Sequence, residues 1–182
     1  MSAIDRAAAV QDLQVQQLRI LTLVHAVAAL PTTAGKVDSL TKLAKLDFLV
    51  RYPDARGAVR ETLAGRSSDH PDLQPHAGWN SMVRHKFGPW DDSYYPVIGA
   101  LVARGLARYV RAKNRAVGVT LTKAGDEFYA KLRSVDAWSD VADEVKAVAD
   151  EFGHLTGNRL KDAIYVALPR ALDVPHRTEL NS

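Results

Sequence analysis

The chain has no cysteine among its 182 residues, so neither a disulfide framework nor a thiolate metal site can form. Its apolar stretches are short or interrupted, well under the roughly 20 residues that a membrane-spanning helix needs. The opening MSAIDRAAAVQDLQ has neither the basic start nor the apolar run of a secretion signal. These absences predict a soluble, cytoplasmic protein. Phosphate-cradling loops are missing too: Gly57, Gly65 and Gly78 stand alone, with no G-x-G-x-x-G and no G-x-x-x-x-G-K-[ST]. None of the six histidines falls in a zinc spacing, and His70 and His76 lie in a loop-like stretch without an acidic ligand set. They read as surface or capping residues. Ser67-Ser68-Asp69-His70 reads as a polar turn, because neighbours in one loop do not easily build a nucleophilic relay. The Asp91-Asp92 pair stands where a helix N-cap is wanted and complements a helix dipole. No catalytic residue, no metal ligand set and no cofactor is therefore expected.

What the chain does have is 47% hydrophobic residues, enough for one substantial core with helical extensions. Its formal net charge of +3 is unevenly spread. From Trp79 to Lys123 eight basic residues face two acidic ones, whereas from Ala124 to Phe152 eight acidic residues face three basic ones. Anions are attracted to the first stretch and repelled by the second.

Periodicity organises the rest. A first helix is expected over Leu13 to Leu30, closed by Pro31, and residues 1–12 either extend it or make an N-terminal arm through Ile4, Ala8 and Val10. A second helix starts after Asp38 or Ser39 as N-cap, carries Leu40, Leu43, Leu46, Phe48 and Leu49, and meets Pro53. A short third runs from Ala55 to Leu63. Residues 65–89 show no sustained period, contain three prolines and three glycines, and read as a loop-rich insertion that Trp79 and Trp90 pack onto the body. Later come an acidic helix from about Lys123 to Phe152, broken near Ser134, and a last helix from Asn158 to Leu168. The expected division is thus a main domain over 13–133, C-terminal helices over 134–173, and a disordered polar tail over 174–182.

The most specific segment is 91–132. Tyr94, Val97, Ile98, Leu101 and Val102 make one helical face that stops at Gly105. Leu106 to Arg111 then alternates as a strand, Lys113-Asn114-Arg115 has turn chemistry, and Val117, Val119 and Leu121 mark a return strand before an amphipathic helix through Phe128 and Leu132. With the phrase V-x-L-T-x-A-G at Val119 to Gly125, this string resembles the last helix, wing and following helix of a winged-helix domain. The resemblance implies a mainly α fold with a small β-hairpin, a winged helix-turn-helix with N- and C-terminal extensions. Arg108, Arg111, Lys113 and Arg115 cluster on the hairpin as candidate contacts to duplex phosphates. Direct base reading is less favoured. The helix before the wing opens with Asp91, Asp92, Ser93, Tyr94, Tyr95 and Pro96, and its carboxylates repel phosphates where a recognition helix meets the groove.

Three further blocks, KLAKLDFLVRYP, FGPWDDSYYPVIGALVARGL and LTGNRLKDAIYVALP, resemble the small middle component of bacterial three-component ABC-ATPase conflict systems, of the Lamassu-like antiphage type. That resemblance implies a non-catalytic adaptor joining an SMC-like ATPase to an effector subunit. The alternative is a free-standing, dimeric winged-helix transcription regulator. In either case the stripe of Leu160, Ile164 and Leu168 is expected to bind a partner subunit or a second copy, and the wing to touch protein or, without sequence preference, duplex DNA.

Overall fold

The computed structural model describes residues 3–66, 71–112 and 115–180, with side chains from Asp12 onward. Its order is α1 (Ala3–Ala28), α2 (Leu40–Arg51), α3 (Pro53–Leu63), β1 (Val83–His85), β2 (Gly88–Trp90), α4 (Tyr94–Ala103), β3 (Ala107–Arg111), β4 (Val117–Leu121), α5 (Lys123–Arg133), α6 (Asp136–Phe152), α7 (Gly157–Ala167) and α8 (Pro169–Leu172). The architecture is mainly helical, 58% helix with two small antiparallel hairpins. Among the described residues no helix is long and apolar enough to cross a membrane.

Two helices form the centre. In α1, Arg19, Ile20, Leu21, Thr22, Leu23, Val24 and Val27 are all buried, and a helix buried all round belongs inside a fold. In α2 every residue from Lys42 to Arg51 is buried. Ser39 caps it, its hydroxyl accepting from the Lys42 amide at 3.1 Å. Pro53 does not merely interrupt: it occupies the first turn of α3, where a missing N–H costs nothing. Around this centre pack α4 and α6 on α1, and α6 and α7 on α2. Trp138, Val145, Val148 and Phe152 give α6 its inner face, and the acidic run is indeed two helices, α5 and α6, separated at Ser134.

The β3–β4 ladder pairs Ala107 with Leu121 and Arg111 with Val117. Val37, between α1 and α2, joins it as a third, one-residue strand, exchanging both backbone hydrogen bonds with Val119 at 2.9 Å. Two glycines follow from close approaches. A Cβ on Gly118 would sit 2.4 Å from the Val37 carbonyl oxygen, and one on Gly125 would sit 2.0 Å from that of Leu106. The second explains the T-x-A-G phrase: Thr122 caps α5 by accepting from the Gly125 amide at 3.1 Å, where the first turn of α5 meets the Leu106 carbonyl between α4 and β3.

A buried charge cluster ties α1, α2 and α4 together. Asp47 is fully buried and receives Arg19 Nε at 2.7 Å on one oxygen and the Tyr94 hydroxyl at 2.7 Å on the other. Arg51 Nε lies 3.1 Å from Asp47, while its Nη2 reaches Asp91 at 2.5 Å and its Nη1 the Asn80 carbonyl at 3.1 Å. Trp79 covers the Arg19 guanidinium at 4.8 Å. Burial alone would raise the Asp47 carboxyl, but Arg19 and Arg51, with hydrogen bonds from Arg19 and Tyr94, hold it below its ordinary value.

Several expectations need correction. Residues 3–12 make no separate arm, since α1 runs unbroken from Ala3. The 65–89 stretch is not only loop: it contains β1 and leads through Pro89 into β2, its Leu73 and Met82 are buried, and the Met82 amide donates to the Tyr52 hydroxyl at 2.8 Å. The tail over 174–180 is not disordered. It lays an extended segment beside β1, with Arg84 N to Thr178 O at 2.8 Å and Leu180 N to Met82 O at 2.7 Å, and it buries Leu180. Finally, Leu160, Ile164 and Leu168 are fully buried, because α7 packs that stripe against α2 and α3. They are core residues and offer no surface to a partner.

Two stability predictions follow from the packing. Asp47→Asn leaves the buried Arg19 guanidinium without its carboxylate and Arg51 with Asp91 alone, and should cost about 3–5 kcal/mol in urea denaturation at pH 7. Because the folded Asp47 value is depressed, its contribution is present above the unfolded value near 4 and is lost as pH falls below it, so the variant should also lose part of the wild type's acid sensitivity. Equal stability at pH 7 would show that the cluster holds nothing. Leu160→Ala should cost about 2–5 kcal/mol by cavity formation. A variant that is fully stable but altered in assembly would return Leu160 to the surface role.

Candidate functional site

The basic hairpin is formed, but its cations do not share one face. Side chains alternate along β3, and cross-strand partners share a side. Arg108, opposite Thr120, therefore lies on one face, and Arg111, opposite Val117, lies on the other with Tyr109. Arg115 sits exposed at the tip with φ +61, a left-handed backbone unusual for a side-chain-bearing residue. Lys113 and Asn114 lie outside the described residues, as does the Ser67–His70 turn. Among the described residues no carboxylate forms an ion pair with Arg108, Arg111 or Arg115.

The acidic helices are different. Glu144 and Glu151 of α6 are paired with Arg56 and Arg60 of α3, Asp143 with Arg133, and Asp150 with Lys146. The negative potential read from the run of acids is thus partly compensated inside the molecule. Asp91 and Asp92 are likewise engaged, the first by Arg51 and by the Ser93 amide at 2.8 Å, the second by Arg177 of the C-terminal segment. Their role is to hold the start of α4.

Beside the hairpin opens a groove of about 460 Å³. Its walls are Leu40 and Thr41 from the first turn of α2, Trp90 from β2, Tyr95 from α4, and Tyr109 and Val117 from the hairpin. Tyr95 is 61% exposed, Val117 51% and Tyr109 44%, so three large apolar side chains that a folded chain would ordinarily cover converge on one concavity. The sheet explains the arrangement. On one face the base of the hairpin, Ala107, Val119 and Leu121, is buried in the core, while farther out the same face carries Tyr109, Val117 and Arg111 into the open.

α4 turns Tyr94, Val97, Ile98 and Leu101 inward. Toward solvent it presents Tyr95, Pro96, Gly99, Ala100 and Ala103, with Arg104 following the last turn and engaged by Gln17. No lysine, asparagine, glutamine or free arginine projects from this helix, so the bidentate base contacts of a reading helix are not available on it. Among the described residues no group of three His, Cys, Asp or Glu side chains is placed to hold a metal ion.

Two buried lysines of α2 lie behind this region. Lys45 packs against Gly88 of β2 and donates to the Thr41 carbonyl at 3.0 Å, and burial, aided by Lys161, lowers its ammonium to about 8. Burial lowers Lys42 as well, against the opposing pull of Asp38. The groove is not legible in the sequence because its walls come from five elements, α2, β2, α4, β3 and β4, scattered between residues 39 and 117; the one available signal is three aromatics, Trp90, Tyr95 and Tyr109, around a basic stretch. No protein-family model, curated protein or solved structure matches the chain.

Lys45 generates a prediction. Its folded value lies below its unfolded one, so the folded state disfavours the charged form, a penalty present at neutral pH that fades as pH rises from about 8 toward 10.5. Lys45→Met should therefore raise stability at pH 7 by about 1–3 kcal/mol and lose that advantage by about pH 10. Urea melts at the two pH values decide it; a destabilised variant at pH 7 would mean that the ammonium is compensated.

Proposed function

We propose that this chain is a non-catalytic winged-helix adaptor subunit that links an SMC-like ABC ATPase to an effector in a bacterial antiphage complex, its basic wing lying along DNA without reading sequence. A winged helix combines three helices with a small antiparallel sheet whose last two strands form the wing. The order α1, Val37, α2, α4, β3, β4, with α3, β1 and β2 inserted between α2 and α4 and with Val37 bridged to Val119, supports that arrangement. The conflict-system membership rests on the resemblance of the three sequence blocks. The observation that carries the adaptor reading is the outer face of α4, which lacks base-reading side chains and instead contributes Tyr95 to an apolar groove.

The hairpin arginines, which form no ion pair among the described residues, supply the DNA contact of this reading. Three or four cations neutralise about as many phosphates, each adding about 0.9 to the slope of log affinity against log salt. Binding to a random duplex should be micromolar or weaker and should fade as salt rises. Arg111→Ala with Arg115→Ala should flatten the slope by roughly one to two units without altering the circular dichroism spectrum. Affinity purification of the full chain from its native host at low salt should bring down a coiled-coil ATPase. Nanomolar, salt-resistant preference for its own upstream duplex, with no ATPase recovered, would overturn the adaptor reading in favour of a dimeric regulator.

A further inference from the structure

The groove beside the hairpin has a chemical bias that defines its occupant. Its walls are apolar, and its volume of about 460 Å³ holds a few side chains, not a domain. Its rim is positive. Arg111 stands on the groove face of β3 opposite Val117, Arg115 flanks the lining residue Ala116, and neither is engaged by a carboxylate among the described residues. The first turn of α2, which forms another wall, carries no acidic residue, so its positive dipole end is uncompensated within the helix. Two carboxylates stand near these walls: Asp38, just before the Ser39 cap, which acts on the buried Lys42, and Asp92, hydrogen-bonded by Trp90 and paired with Arg177.

We propose that this groove receives a short segment of a partner protein that carries one or two apolar anchors beside acidic side chains. The anchors would fill the space between Tyr95, Tyr109 and Val117, and the carboxylates would meet Arg111 and Arg115 at the rim. Two other occupants fit less well. Trp90 is only 7% exposed, so the ring best suited to stacking a nucleobase is already covered. A second copy joined by a two-fold axis would bring the same arginines toward their own duplicates. This assignment names the partner chemistry of the adaptor reading and rests on it.

Panning a random twelve-residue display library on the immobilised full chain tests the proposal. Enriched peptides should combine aromatic or aliphatic anchors with Asp or Glu, and a synthetic peptide of the consensus should lose at least tenfold in affinity on Val117→Asp. Both are surface positions, so Arg111→Glu with Arg115→Glu should keep the fold, reject the acidic peptide and accept its lysine counterpart. That charge-swap rescue separates lost recognition from lost folding. Basic or featureless enriched sequences, or binding indifferent to Val117→Asp, would overturn the proposal. So would tight binding of an oligo-dT 20-mer abolished by Tyr95→Ala, or a dimer in sedimentation that Val117→Asp dissolves. The adaptor reading is checked separately: if the ATPase still co-purifies with Val117→Asp, the groove assignment fails and the adaptor stands, and if acidic peptides bind but no ATPase is recovered, the reverse holds.

Discussion

Asp47 is the point on which the arrangement depends. A carboxylate with no solvent exposure is tolerable only with opposite charge and hydrogen bonds around it. It has both: Arg19 from α1, Arg51 one helical turn along α2, and the Tyr94 hydroxyl from α4. Burial keeps the Tyr94 hydroxyl far above its usual value and so protonated as a donor. Arg51 passes the connection on to Asp91, and Asp91 to the Ser93 amide at the start of α4. Apolar side chains of similar volume could fill this space without loss. The ionic cluster differs in accepting one set of positions, and those positions set the angle at which α4 leaves the core.

From that angle the surface follows. With Tyr94 held inward by Asp47, the next residue, Tyr95, is turned outward beside Trp90, its ring centroid 5.8 Å away. The hairpin is fixed from the other side, by Val37 on β4 and by the close approaches at Gly118 and Gly125. The groove is the gap between these two rigid supports, which is why it stays open although its walls are apolar. Binding surfaces built on locked elements lose little conformational entropy when occupied.

Helices with long periodic faces were legible in the sequence. The stripe of α4, the Ser39 cap of α2 and the break between α5 and α6 all follow from local spacing, and so does the β3–β4 hairpin from its alternation and turn residues. Long-range pairings were not. Arg19, Asp47 and Arg51 look like ordinary surface charges until folding removes them from water together. The β1–β2 hairpin is only three residues per strand, with Gly88-Pro89-Trp90 wholly buried, so it carries no alternation to detect. The polar tail reads as disordered because its anchoring is long-range: backbone pairing to β1, the Arg177–Asp92 ion pair and the burial of Leu180. Of the candidate site, the cations of the hairpin were readable and the groove was not, and the α7 stripe misled because an amphipathic face looks the same whether its own core or a partner covers it.

The proposed function is a division of labour in which the hairpin meets anions and α4 does not read bases. Backbone amide spectra of the isotopically labelled chain, titrated at low salt with a short duplex, test it residue by residue. Shifts should be confined to the hairpin around 108–117, titrate away with added salt and be the same for different duplex sequences. Sequence-dependent shifts running along Tyr95, Gly99 and Ala103 of α4 would instead make α4 a base-reading helix.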